Sequence, residues 1–217
     1  MPVTVEQTLE MPDAVLFVNK VQAALEAEQA KRREFYEAVD ENRKVEFING
    51  EIVFQSPVKL QHNDATTLIC VLLKTFVAKH KLGFVGVEKI LVSLSRNDYE
   101  PDVCFFGNEK AQHFTKRQMK FPAPDLVVEV LSDSTAKHDR ETKFRDYAAH
   151  GVAEYWIVDP ERETVEQYEL ENEQYKLLLE TRGGFLTSVV LPNLSIPIRA
   201  IFDEQTNLET LSSLLAS

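Results

Sequence analysis

The chain has 217 residues, 44% of them apolar, and 24 Lys and Arg against 35 Asp and Glu give a formal net charge of −11. That apolar share suffices for a buried core and excludes a wholly disordered chain, while the acidity argues against a non-specific nucleic-acid coat, which shows a basic excess on one face. Two cysteines, Cys70 and Cys104, are too few for a disulfide framework or a four-cysteine zinc site and read as buried free thiols.

No run approaches the roughly 20 apolar residues of a membrane helix, and the start lacks the basic-then-apolar order of a signal peptide, so a cytoplasmic protein is expected. From Asn19 to Glu41 the chain is rich in Ala, Glu, Lys and Arg without Gly or Pro, which predicts an exposed helix. KVEFINGEIVFQ follows, two β-prone runs joined by Asn49-Gly50, the dipeptide best suited to a tight hairpin. Leu60 to Lys81 shows the spacing of an amphipathic helix through Leu68, Val71, Leu72, Thr75 and Phe76. GFVGVE, KILVSL, DVCFF and PDLVVEVL then read as strands, the last apolar on both faces as a central strand should be. Lys137 to His150 has helical spacing and stops at Gly151 before the strand EYWIVD. TVEQYEL, EQYKLLLE and SVVL predict an antiparallel extension, and Thr206 to Leu215 a short closing helix.

Charged residues are least expected in buried strands, where an unpaired charge is costly and calls for a partner or a metal. Glu129 sits in the middle of LVVEVL, and Asp102 follows Pro101 at the start of DVCFF. Alternate side chains share a face, so Asp125, Val127, Glu129 and Leu131 point one way and Leu126, Val128 and Val130 the other. If the two strands are neighbours, Asp102 and Glu129 converge on a hard cation such as Mg2+, with Mn2+ as a substitute. On the next helix Asp139, Lys143 and Tyr147 recur every four residues on one face, which would bring Lys143 to the carboxylates. There it would orient a metal-bound water and stabilise charge developing on phosphoryl oxygens. Plainer roles compete: a surface ion pair with Asp139 for Lys143, a carboxylate held by core donors for Glu129, a turn cap for Asp102.

In this order, EPDVCFF, PDLVVEVLSDST and DRETKFRDYAAHGVAEYWIVDP resemble the Uma family of restriction-endonuclease-like proteins, a branch of the PD-(D/E)XK nuclease superfamily, from about Lys44 to Asp159. The resemblance implies metal-dependent phosphodiester cleavage with Asp102 and Glu129 as the acidic metal ligands. The superfamily lysine belongs two residues after the glutamate, where this chain has Leu131, and Lys143 is the substitute the resemblance implies. Glu46 matches a further acidic position and would assist the metal or its water, the alternative being an exposed strand residue; Glu51 is a weaker candidate. His62 matches a histidine common in the family and would contact phosphate or carry a proton, since imidazole titrates near neutrality, with helix capping or a surface position as the alternative. The other histidines lack ligand spacing, and Tyr155 and Trp156 read as core.

The fold expected is α/β, a restriction-endonuclease-like mixed sheet core (α-β-β-β-α-β) flanked by helices. It would form a single domain over residues 1–217, with a helical lead-in (1–43), a nuclease-like core (44–159) and a β extension with a short C-terminal helix (160–217). The leading function is a Mg2+-dependent DNA endonuclease in which Asp102 and Glu129 bind the metal, Lys143 polarises water or phosphate and Glu46 assists. A catalytically degenerate nuclease fold that binds nucleic acid or protein is the alternative, motivated by Leu131 and the acidity, and a hydrolase of small phosphate esters is a third reading. Nothing in the sequence separates DNA from RNA. A homodimer is expected, since two symmetric sites suit the two strands of a duplex, with its interface on the arm before Lys44 or the acidic strands after Asp159. Residues 51–150 carry 14 basic and 13 acidic side chains, so the net negative charge belongs to the flanks. Lys110, Lys116, Arg117, Lys120, Lys137, Arg140, Lys143 and Arg145 are expected around the site, with weak, salt-sensitive and metal-dependent DNA binding.

Overall fold

LVVEV and EYWIV offer water no polar face, and they lie side by side as parallel strands at the centre of the structure. The computed structural model describes residues 4–39 and 43–216. Helices α1 (Val5–Leu9) and α2 (Ala14–Ala38) lead into the hairpin β1 (Val45–Ile48) and β2 (Glu51–Phe54), then α3 (Leu60–His80). Strands β3 (Gly83–Val87), β4 (Leu91–Ser93), β5 (Asp98–Tyr99) and β6 (Val103–Gly107) follow, then α4 (Asn108–Ala111), β7 (Lys120–Phe121) and β8 (Leu126–Val130). Next come α5 (Ala136–His138), a π-helical turn (Asp139–Lys143), α6 (Phe144–Ala149) and β9 (Glu154–Asp159). The chain closes with β10 (Thr164–Glu171), β11 (Gln174–Thr181), β12 (Phe185–Thr187), β13 (Ser195–Pro197), a 3-10 turn (Ile198–Ile201) and α7 (Glu204–Ala216). Among the described residues, no helix is long and apolar enough to cross a membrane.

The strands form two main sheets, where the sequence reading treats the central strands together. One runs β11-β10-β9-β8-β6-β3 and the other β2-β1-β5-β4-β7. GFVGV and LVS therefore part company, β3 pairing with β6 and β4 with β5 and β7. Faces alternate along β8 as period-two geometry requires: Leu126, Val128 and Val130 pack under α3 and α7, while Val127 joins a second core with Ile48, Val92, Tyr99 and Tyr147. That second core, between the two sheets, positions the site.

Local chemistry explains the elements. Asn49 and Gly50 both have positive φ, 52° and 83°, as a two-residue hairpin turn demands, and a Cβ on Gly50 would fall 2.8 Å from Glu28 Cγ. Gly151, at φ 74°, ends the helical stretch as expected. Helix α2 starts earlier than the composition suggests, and part of the expected helical end, residues 40 and 41, lies outside the described residues. Its second half packs on the body, where the buried Arg32 donates to Asp98 Oδ2 at 2.6 Å and Leu94 O at 2.8 Å. In its first half Val15, Leu16 and Val18 are exposed. The buried face of α3 is offset from the expected one: Ile69, Leu72, Leu73, Phe76 and Val77 are buried while Val71 is exposed. Both cysteines are free thiols, Cys104 buried and Cys70 only partly so.

SVVL is not a strand. Strand β12 pairs instead with β13, and residues 188–191 loop around the buried Glu154 carboxylate. Its Oε2 accepts from Ser188 Oγ at 2.7 Å and the Val189 and Val190 N–H groups at 2.9 and 3.0 Å, and its Oε1 from Trp156 Nε1 at 2.6 Å and Gln167 Nε2 at 2.7 Å. Apolar residues beside a buried anion thus follow their N–H groups rather than their β propensity. Replacing Ser188 with alanine removes one donor and strands the Leu191 N–H that bonds its hydroxyl. The expected cost is about 1–3 kcal/mol, read from urea unfolding.

Candidate active site

Glu129 shares a β8 face with Val127 and so points into the core between the sheets. Asp102 arrives from the neighbouring strand. β6 and β8 are antiparallel with Val103 opposite Val128, and one further step along that register sets Asp102 opposite Glu129 on the same face. Glu46 comes from β1 of the other sheet, and the π turn delivers Asp139 and Lys143. Such turns recur at functional sites because the extra residue re-aims the helix face.

All five side chains are buried, and Lys143 links three of the carboxylates. Its ammonium lies 2.9 Å from Glu46 Oε1, 3.1 Å from Glu129 Oε1 and 3.1 Å from Asp139 Oδ1. The ion pair with Asp139 exists, then, but inside the protein rather than on its surface. Tyr147 donates its hydroxyl to Glu129 Oε1 at 3.1 Å, so the helical face read from the sequence converges on this carboxylate. Glu46 is no exposed strand residue: its Oε1 also accepts the Glu100 N–H at 3.0 Å. Asp102 caps no turn of its own; its Oδ2 accepts the Val130 N–H at 2.8 Å, and its Oδ1 is 2.6 Å from Lys44 Nζ. His62, buried in the first turn of α3, sets Nε2 3.4 Å from Asp102 Oδ2, while its Nδ1 has no hydrogen-bond partner.

Not every candidate gathers here. Glu51 is exposed on β2. The Asp125 carboxylate is taken by Lys110 and the Gly107 N–H, both at 2.6 Å. Of the basic residues expected around the site, Lys110 is held by Asp125, Arg140 pairs with Glu166 and Lys120 lies over the Tyr36 ring. Lys44, which the sequence reading passes over, does belong. The signal was its place two residues before Glu46, on the same strand face.

The electrostatics are those of a site short of positive charge. Burial drives Glu129 and Asp139 above the ordinary carboxylate range against the pull of Lys143. Burial alone would lower Lys143, yet Glu129, Glu46 and Asp139 hold it well above its usual value. Asp102 goes the other way: burial opposes, but His62 and Lys44 keep it below the usual range. Four buried carboxyl groups (Glu46, Asp102, Glu129, Asp139) face two ammoniums (Lys44, Lys143), and Lys44 is shared with Glu88, so acidic groups outnumber ammoniums.

Among the described residues no group of three or more His, Cys, Asp or Glu side chains is already gathered to hold a metal. Mg2+ asks for less, since it commonly takes one or two carboxylates and keeps several waters. The donor set fits that demand. It is all oxygen, Asp102 and Glu129 stand on adjacent strands, and neither Asp139 carboxylate oxygen has a hydrogen-bond partner. Next to the site a cleft of about 320 Å³ is lined by Lys59, His62, Leu131, Ser132 and Ser134 among others. The superfamily's lysine position therefore presents an apolar side chain to the cleft, and a lysine reaches Glu129 from the helix instead.

The chain is similar to known proteins along most of this architecture. The uncharacterized protein sll1609 of Synechocystis sp. is 30% identical over 142 residues, 64% of this chain and 80% of that relative. A solved structure from Anabaena variabilis, described as "a putative nuclease belonging to DUF820", superposes with a TM-score of 0.68 at 16% identity, covering 82% of this chain and 97% of that one, and so shares the fold. The family model Uma2, described as "Putative restriction endonuclease", matches residues 27–199, and with that span the chain belongs to the Uma2 family, related to the PD-(D/E)XK nucleases.

Proposed function

We propose that the protein is a divalent-metal-dependent endonuclease acting on DNA. The observation that carries this reading is the buried charge deficit: four carboxylates around two ammoniums are costly to fold, and a cation-binding hydrolytic site is a reason to keep them. Asp102 and Glu129 would hold the cation, Mg2+ or Mn2+, with Glu46 and Asp139 close behind. Bound there, such a cation lowers the pKa of its water and offsets charge on the scissile phosphate. Lys143, fixed by three carboxylates, holds Glu129 and Glu46 in place and would keep a positive charge beside a metal-bound water. His62 and Lys59 line the cleft and would offer donors to the phosphate backbone, Lys59 on leaving its ion pair with Asp133.

Incubating supercoiled plasmid with the protein tests this. Nicked circles or linear DNA are expected only with Mg2+ or Mn2+, and linear product would accord with paired sites in a homodimer. No cleavage with either metal, or equal cleavage by wild type and Asp102→Asn, rejects the reading. Both Asp102 oxygens already being bonded, to Lys44 and to Val130 N–H, favours a second reading, a degenerate nuclease fold that only binds. DNA binding with no cleavage under either metal, and unchanged by Asp102→Asn, would establish it.

A further inference from the structure

We infer that Lys44 governs how readily Asp102 takes up a divalent cation, by pairing with Oδ1, the carboxylate oxygen not tied to the backbone, and sharing itself with Glu88 as a second seat. The inference rests on Asp102 being a metal ligand, as proposed above. Oδ2 of Asp102 is committed to the Val130 N–H, a backbone donor fixed by the strand, at 2.8 Å. A cation approaching Oδ1 meets the Lys44 ammonium 2.6 Å from that oxygen, a like charge that binding favours drawing aside. Lys143 cannot play this part, since its side chain is 1% exposed and three carboxylates hold it. Lys44 keeps 16% of its side chain exposed and already touches Glu88 Oε2 at 2.9 Å, a carboxylate 43% exposed.

Glu88 is stationed for this by its backbone. It adopts φ 56°, uncommon for a residue with a Cβ, while its N–H bonds the carbonyl of Asp102 at 2.9 Å and its carbonyl accepts the Ile90 N–H at 2.6 Å. The main chain thus locks Glu88 beside Asp102 itself. An ammonium released from Asp102 needs no new partner and no journey through apolar surroundings, only the loss of one of its two contacts. Lys44 is a positioning residue on this account, a resident competitor that Glu88 draws aside.

The test is a Mg2+ titration of the full chain, followed by thermal unfolding and by calorimetric titration, for wild type, Lys44→Met, Glu88→Gln and the double variant, with Asp102→Asn in each background as control. Lys44→Met is expected to lower the half-saturating Mg2+ concentration about tenfold. Glu88→Gln should raise it severalfold, because the ammonium then rests on Asp102 alone. The double variant should match Lys44→Met, since Glu88 acts only through Lys44. Through-space charge effects would instead make the two substitutions additive, and that result overturns the inference, as does an unchanged or weaker affinity in Lys44→Met. If no variant binds Mg2+ in an Asp102-dependent way, the metal reading of Asp102 falls first. If wild type binds through Asp102 but Lys44→Met changes nothing, only the role of Lys44 falls.

Discussion

Replacing Glu129 with glutamine is expected to abolish the proposed metal-dependent DNA cleavage while making the metal-free protein harder to unfold. The amide is nearly isosteric and its oxygen can still accept from Lys143 and Tyr147, each 3.1 Å from Oε1 in the native site. What disappears is a carboxyl that burial penalises whenever it is charged, in a core with more carboxyl groups than ammoniums. Burial raises the Glu129 carboxyl well above its ordinary value, so the folded state holds a proton that the unfolded chain releases. By linkage, a carboxyl raised in this way contributes stability that is lost as pH climbs above its unfolded value of 4.5. The variant should therefore match wild type near pH 4.5 and exceed it by about 1–2 kcal/mol at neutral pH, the scale typical of relieving a strained functional site. Cleavage should fall about a thousandfold or more, the equivalent of the several kcal/mol a hydrolytic metal supplies. Urea unfolding at both pH values and a plasmid assay on the same preparation check this. A variant that is less stable at neutral pH, or that still cuts, would contradict it.

The parts of this architecture that follow from local rules were legible in the sequence. The Asn49-Gly50 hairpin, the helix stop at Gly151 and the doubly buried β8 each depend on a few neighbouring residues, and alternation along β8 separated Glu129 from Val128 and Val130 correctly. The pairing of Asp102 with Glu129 was legible only as a condition, because strand adjacency depends on contacts distant along the chain. Longer-range features were hidden. Two residues of β5 and two of β7 are too short to show a pattern, so the division into two sheets did not appear. SVVL has strand propensity, but the Glu154 carboxylate lies 34 residues before Ser188 and recruits that segment's N–H groups. The basic residues of the middle segment showed as a positive patch in composition, whereas Lys110 and Arg140 are consumed by Asp125 and Glu166. Lys44 was legible only through its place two residues before Glu46, because its partners Asp102 and Glu88 lie far along the chain.

Lys143→Met should cost the metal-free protein about 3–5 kcal/mol, the range for removing one partner from a buried ionic group. Methionine replaces most of the lysine stem, so the loss is one of charge rather than packing. Glu46 would retain the Glu100 N–H and Glu129 the Tyr147 hydroxyl, but Asp139, whose oxygens have no hydrogen-bond partner even in the native core, would lose the ammonium 3.1 Å from its Oδ1. Because burial pushes Glu129 and Asp139 upward, both are uncharged in acid, and the deficit should shrink as pH is lowered toward the ordinary carboxylate range. Combining Lys143→Met with Glu129→Gln removes one of the stranded charges, and the pair should be more stable than the sum of the single changes predicts by about 1 kcal/mol or more. The same logic governs how an activity assay on Lys143 is read. A Lys143→Ala protein that fails to cut has lost its fold's counter-ion as well as any catalytic group, so the informative measurement is denaturant unfolding of Lys143→Met, Glu129→Gln and their combination. A cost below about 1 kcal/mol for Lys143→Met, or strict additivity, would show that the ammonium is not what neutralises this core.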